Sequence, residues 1–246
     1  MYLENSRWIP LSVDFLSQFT TLQYLDITGD QYLRDVHNLS KIISLHTLFI
    51  EDSFRNLSFF APLTNLQTLF IENTILQDIQ HISYLTNLHN LHMSSDKLQD
   101  ISHVSKLINL DTLSIRSIIL EEVNHISNLI LLTSLDIGSH FLRDISHLSK
   151  LTSLCKLKMF SNIVDVNVIS CFTALTNLRL QSADMVDITP LASLTLLQKL
   201  NMSWSKSIVD LNPLTKCTCL THLDIMGCTS IIDISPLINC TSSERN

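Results

Sequence analysis

Only three glycines occur in 246 residues, Gly29, Gly138 and Gly227, and no two are close together. A phosphate-cradling loop needs clustered glycines so that its backbone can approach the anion, so neither common nucleotide-binding fingerprint is present. Long hydrophobic runs are missing too. None reaches the roughly 18 residues that a membrane-spanning helix needs. The first twenty residues, MYLENSRWIPLSVDFLSQFT, have no basic stretch followed by an apolar one. That predicts a cytoplasmic chain, with a nuclear location second and secretion disfavoured. Cysteine is absent before Cys155, and without an export signal the six that follow are expected as free thiols. Positive charge is scarce: 16 Lys and Arg face 23 Asp and Glu, a net charge of -7. This speaks against general nucleic-acid binding, which rests on neutralising phosphates. Neither H-E-x-x-H nor G-x-S-x-G occurs, and no Cys, Ser or His stands out as a nucleophile with its base. No enzyme activity and no cofactor are therefore expected.

Apolar residues make up 46% of the chain, enough for a continuous core, and they recur with a fixed period. The leucine that opens the pattern L-x-x-L-x-I falls at Leu22, Leu45, Leu66, Leu88, Leu110, Leu132, Leu154, Leu175, Leu197 and Leu220, in steps of 21 to 23 residues. Counting that leucine as position 1, apolar residues return at 4, 6, about 11, 14, 17 and 20. In the repeat from Leu88 they are Leu91, Met93, Leu98, Ile101, Val104 and Leu107. Alternation around positions 4 and 6 predicts a strand with one buried face. The later spacing of three predicts a tight 3₁₀ turn. A single repeat cannot bury this surface, whereas stacked repeats can.

The pattern L-x-x-L-x-I followed by D-I-x-x-L-x-x-L resembles the leucine-rich repeat family over residues 22–240. The 22-residue period, with DITPL (187–191) and DISPL (233–237), is similar to the short-repeat subclass that includes bacterial internalins and the regulatory subunit of protein phosphatase 1. The segment KCTCLTHLDIMGCTSIIDISPLINCTS is similar, less specifically, to trypanosome leucine-rich repeat proteins described as regulators of adenylate cyclase. The resemblance implies an α/β solenoid of horseshoe form, with a concave parallel β-sheet of about ten strands and short 3₁₀ or helical turns on its convex side. Residues 1–21 read as a flank holding the latter half of a further repeat, with Val13, Leu16 and Phe19 inward, and residues 241–246 as the start of a truncated one. A fragment of a longer array, or ends covered by a partner, is expected. The family pattern has Asn at position 9. Here the occupants are Asp30, Ser53, Thr74, Asp96, Ile118, His140, Asn162, Ala183, Ser205 and Cys228. Looser turns are expected at Ile118 and Ala183, which offer no oxygen to the backbone.

Four sets of residues invite a functional reading. His81, His103, His125 and His147 share position 16, where neighbouring imidazoles are able to bind metal or sense pH. Later repeats hold proline there, so a turn role is expected and no metal. Asp78, Asp100, Glu122, Asp144, Asp165, Asp187, Asp210 and Asp233 form an acidic row, expected to cap turns rather than bind calcium. Cys217, Cys219, Cys228 and Cys240 lack paired C-x-x-C spacing; Cys217 and Cys240 at position 20 and Cys228 at position 9 are expected as small buried residues, with a Cys217–Cys240 disulfide only in an oxidising compartment. The fourth set points away from the core at positions 3, 5 and 7. Early repeats present Tyr24, Asp26, Phe49, Glu51, Phe70, Glu72 and His92. Later ones present Arg116, Lys156, Lys158, Phe160, Arg179 and Lys199, with Trp204 just beyond its strand. Aromatic anchors and a charge split suit a partner-binding face. The expected partner is another protein or peptide carrying an acidic segment, bound by a regulatory scaffold. A secreted or surface recognition module of internalin type is the alternative, to be revealed by a signal peptide or glycan at Asn38 or Asn56. Asn201 and Asn239 complete the sequons.

Overall fold

In every repeat the strand begins at position 3, because positions 4 and 6 carry the branched or long aliphatic side chains that a half-buried pleat accommodates. The computed structural model describes residues 11–12, 14–29 and 33–239. Its contacts divide the chain into two compact units, one ending at Ile119 and one starting at Leu120. In the first unit, β1 (Leu11–Ser12) pairs in parallel with β3 (Leu33–Arg34). The main sheet of that unit is built from β2 (Tyr24–Ile27), β4 (Thr47–Glu51), β5 (Thr68–Glu72), β6 (Asn90–Ser94) and β7 (Thr112–Arg116), all parallel and in that order. The second unit repeats the plan with β8 (Ser134–Gly138), β9 (Lys156–Phe160), β10 (Asn177–Gln181), β11 (Lys199–Asn201) and β12 (His222–Asp224). Ten parallel strands, five in each unit, thus follow the ten leucine-led repeats. Equal positions pair: Leu69 lies opposite Leu91, and Leu91 opposite Leu113.

A 3₁₀ turn closes each repeat, as in Gln80–Tyr84, Ser102–Lys106 and Ser146–Lys150. Ile79, Ile82 and Leu85, three apart, share one side of such a turn, and the N–H groups of Ile82 and Leu85 each donate to the carbonyl three residues back at 2.9 Å. All seven apolar positions of the repeat from Leu88 are buried, as the period predicts. The turn Asp14–Gln18 has its Leu16 fully buried, whereas Phe19 is exposed. Val13, Asp30, Cys240 and residues 241–246 lie outside the described residues.

The inward polar position is 8, not 9, and this corrects the expectation drawn from the family pattern. Asn73, Ser95, Ser117, Ser139, Ser161 and Ser182 are buried there, while Ser53, Thr74, Asp96, Ile118, His140 and Ala183 at position 9 face outward. The Asn73 amide donates to the Phe54 carbonyl, and its oxygen accepts from the N–H groups of Ile75 and Leu76. The hydroxyls of Ser95 and Ser117 donate to the carbonyls of Leu76 and Leu98. The turns at Ile118 and Ala183 are therefore tied by the preceding serine, and Ser182 reaches the Ile163 carbonyl at 2.7 Å.

Variation in repeat length is absorbed between position 8 and the next core residue. That residue is Ile163 in a 21-residue repeat, Leu98 in a 22-residue repeat and Ile208 in a 23-residue repeat. In the repeats from Leu22, Leu197 and Leu220, position 8 is Gly29, Trp204 and Gly227, all with positive φ (88°, 67° and 75°). The left-handed residue takes up the extra length, and the inward role passes to Ser205 and Cys228 at position 9, both buried.

Ser117→Ala should lower stability by roughly 1–3 kcal/mol, since it orphans a buried carbonyl. Ile118→Ala should stay within about 0.5 kcal/mol. Urea unfolding of the two variants checks this, and the position-9 assignment predicts the reverse order.

Candidate partner-binding faces

Side chains at positions 3 and 5 of each strand stand on the sheet face opposite the core, because successive residues of a strand alternate. In the first unit this face carries a continuous row of rings. Tyr24 and Phe49 have ring centroids 5.9 Å apart, Phe49 and Phe70 5.6 Å, and Phe70 and His92 4.2 Å, the last pair stacked. Phe49, Phe70 and His92 are directly opposite one another in the strand register. His92 is fixed further by Ser114, whose hydroxyl lies 2.9 Å from Nδ1, and its Nε2 is 3.9 Å from a Glu72 carboxylate oxygen. The rings are half-buried by each other, so the row is a stiff apolar strip rather than a set of free anchors. Beyond it the strand ends form an acidic hollow of about 260 Å³, with Glu51, Asp52, Glu72 and Asp96 in its lining. Arg116 is exposed at the end of β7.

The second unit gathers the basic residues. Lys156, Lys158, Arg179 and Lys199 line a groove of about 570 Å³ over β9 to β12, and Asp224 is the one carboxylate in its lining. The register explains the convergence. Lys156, Asn177, Lys199 and His222 form one cross-strand row, and Lys158, Arg179, Asn201 and Asp224 the next. The Arg179 guanidinium carbon sits 4.6 Å from the centre of the Phe160 ring, a cation–π contact that pins the fork in place. Lys158 Nζ is 3.9 Å from Asp136 Oδ2, and the Asn201 amide donates to Asp224 at 2.7 Å. The lysine side chains are exposed, so the groove presents like charges held close on a rigid sheet. Asn177, Asn201, His222 and Asp224 escaped the sequence reading. They occupy the same positions 3 and 5, in repeats where only basic and aromatic side chains drew notice. Trp204 stands apart from this groove. Its ring lies over Gly227, so close that a Cβ there would come within 2.7 Å of it. Trp204 is partly a packing residue of the repeat that follows it.

These stacked strands and turns match solved structures. An internalin from Listeria monocytogenes superimposes with a TM-score of 0.63 and 23% identity, covering 94% of this chain and 82% of that one. The chain has a leucine-rich repeat fold. A leucine-rich repeat protein from Leptospira interrogans gives a TM-score of 0.69 at 18% identity, over 86% of this chain and 62% of that one. The Arabidopsis receptor kinase HAESA, solved with a peptide hormone and a co-receptor, gives 0.56 at 15% identity, over 84% of this chain and 46% of that one. No protein-family model matches the sequence, and no curated protein matches it.

The histidine, cysteine and acidic rows have the following surroundings. No group of three or more His, Cys, Asp or Glu able to hold a metal ion exists among the described residues. His81 lies near Tyr84, with centroids 6.2 Å apart, and His147 sits 3.8 Å from Asp144. Cys217 and Cys228 are buried thiols whose sulfurs point at the carbonyls of Leu191 and Met202, and Cys219 is exposed. Burial pushes the Cys228 thiol above its ordinary pKa. The acidic row caps turns. Asp78, Asp100, Asp144, Asp165, Asp187, Asp210 and Asp233 each accept from the backbone N–H two residues on at 2.7–2.8 Å. Glu122, one methylene longer, is instead 3.3 Å from the Asn124 side-chain amide. No helix of the described residues is long and apolar enough to cross a membrane.

These caps make stability depend on acid. The backbone N–H and hydroxyl of Ser146 hold Asp144 below the ordinary carboxylate range, and those of Ser235 do the same for Asp233. The Thr189 hydroxyl and N–H lower Asp187. A carboxyl depressed by folding adds stability that is complete above its ordinary pKa and lost as pH falls through the folded value. The melting temperature should therefore stay level down to about pH 5 and drop below about pH 4. The drop should be smaller in Asp144→Asn/Asp187→Asn, whose caps do not titrate. Thermal scans from neutral to acid pH read both.

Proposed function

We propose that the chain is a non-enzymatic interaction scaffold that binds a protein or peptide carrying an acidic segment on the open face of its sheets. The observation that carries this is the basic groove of the second unit. Packing requires nothing of these outward positions, yet four cations converge on adjacent strands, with Asp224 in the lining and Asp136 beside Lys158 as the carboxylates near them. Arg179, braced on Phe160, keeps its outer N–H groups for a carboxylate in fork geometry, and the exposed lysines add steering. The row of Tyr24, Phe49, Phe70 and His92 supplies a rigid apolar strip of the kind that binding hot spots use. A structural neighbour with the same fold holds a peptide hormone, which supports the reading. Regulation of a signalling enzyme, by a subunit that grips an acidic segment of it, is a cellular setting consistent with such a face.

A second reading, an extracellular recognition module, is favoured by the internalin neighbours. The glycan test for it narrows to Asn56. Asn38 is buried and its amide is bonded to Asp14, whereas Asn56 is exposed. Glycan at Asn56 in the native protein would move the function outside the cell.

The first reading is tested by affinity capture from the source cell's lysate with two baits, the chain as it stands and Lys156→Glu/Lys158→Glu/Arg179→Glu. All three positions are on the sheet surface, and circular dichroism should show both baits folded. A partner bound by the first should fall about tenfold or more on the second. Equal capture would remove the groove from the function.

A further inference from the structure

A second row of outward side chains lies in the second unit, on the segment that follows each strand. Val164, Val186, Val209 and Ile232 each stand immediately before the Asp that caps a 3₁₀ turn, and they are 53%, 61%, 52% and 90% exposed. The same place in earlier repeats holds Gln77, Gln99, Glu121 and Arg143, all exposed. Neither the turn nor the core asks for an aliphatic residue there, since the polar occupants serve equally. Their neighbours in sequence, Asp165, Asp187, Asp210 and Asp233, are exposed too. Successive 3₁₀ turns from Asn167–Cys171 to Ser235–Asn239 belong to stacked repeats. The four aliphatic residues therefore form a ridge running across the repeats, with carboxylates along one edge.

We propose that this ridge is a docking surface for an amphipathic α-helix of a partner protein, apolar on one stripe and lined with Lys or Arg on one flank. Spacing and charge select that occupant. Repeats stacked at about 4.8 Å meet a helix whose turns rise 5.4 Å, so apolar residues at i, i+4, i+7 and i+11 fall near one aliphatic side chain each. A basic flank then faces the carboxylate edge. A second copy of this chain docked ridge to ridge brings carboxylates against carboxylates, and an anionic lipid surface meets the same repulsion. The surface is independent of the basic groove, whose charge is opposite.

The test uses the whole chain and a fluorescein-labelled synthetic helix of about 16 residues, with leucines at i, i+4, i+7 and i+11 and lysines on one flank. A shuffled peptide of the same composition controls for charge alone. Fluorescence anisotropy should show the patterned helix binding about tenfold or more tightly than the shuffled one. Val186→Asp/Val209→Asp should abolish that preference, and the milder Val186→Thr/Val209→Thr should weaken it without threatening the fold. Lys156→Glu/Lys158→Glu/Arg179→Glu should leave it intact. Equal binding of both peptides, or undiminished preference in the valine variants, overturns the proposal. So does a dimer of the wild-type chain that Val186→Asp/Val209→Asp dissolves, which would assign the ridge to a second copy.

Discussion

At the end of each strand the backbone must turn inward from the sheet to the core, and it has to do so without stranding its polar groups. A short polar side chain at position 8 solves this by bonding back to the repeat before it. Ser95 reaches Leu76 and Ser117 reaches Leu98 in the first unit; Ser139 reaches Leu120 and Ser182 reaches Ile163 in the second. The bond is useful only if the preceding repeat is in place, which makes stability a property of neighbouring pairs rather than of single repeats. The apolar side chains at positions 1, 4 and 6 impose the same dependence, since each is covered only when strands stack. With backbone and core satisfied inside, the outward positions are released from structural duty.

The tolerance of this scheme for repeat length has a local cause. Extra residues enter only between position 8 and the next core side chain, and a left-handed residue accommodates the longest version. Glycine adopts that conformation without strain, but Trp204 does not, and a left-handed aromatic is uncommon. Its ring packs over Gly227, the residue in the same role one repeat later, and the missing Cβ there makes the contact fit. The pair is thus a matched set. The strands of these two repeats, Lys199–Asn201 and His222–Asp224, are three residues long instead of five, and both border the basic groove.

Fold class was legible because it rests on a period, and a period survives the substitution of one aliphatic residue by another. All seven inward positions of the repeat from Leu88 were readable in this way. The turn chemistry was less so. Serine at position 8 is small and common, and only its burial separates Ser117 from the neighbouring Ile118; the family habit of an asparagine one place later pointed the wrong way. Outward rows were half legible. Lys156, Lys158, Arg179 and Lys199 announce themselves by charge, whereas Asn177 and His222 gain meaning only through the register that places them beside those cations. The half-burial of Phe49 and Phe70 by each other depends on ring geometry that spacing does not contain. Trp204 looked like an outward anchor because nothing in the sequence tells of the glycine beneath its ring.

A repeat protein writes each side chain several times, and the repetition converts single residues into surfaces. The capping aspartate shows how context then divides structure from recognition. Asp78 and Asp100 follow Gln77 and Gln99, and there the capping carboxylate stands beside a polar side chain. Asp187 and Asp210 follow Val186 and Val209, and the same cap becomes the charged border of an apolar ridge. The cap itself is the same in these repeats, and Pro190 and Pro213 replace the histidine of the earlier turns without altering it. What differs is one exposed position whose occupant the core does not dictate, and agreement among successive repeats at such a position is what separates a surface from a solvated accident. The same criterion picks out Lys158 and Arg179, which lie opposite each other on β9 and β10 at a position where packing is indifferent and where the two repeats nonetheless carry matching charge.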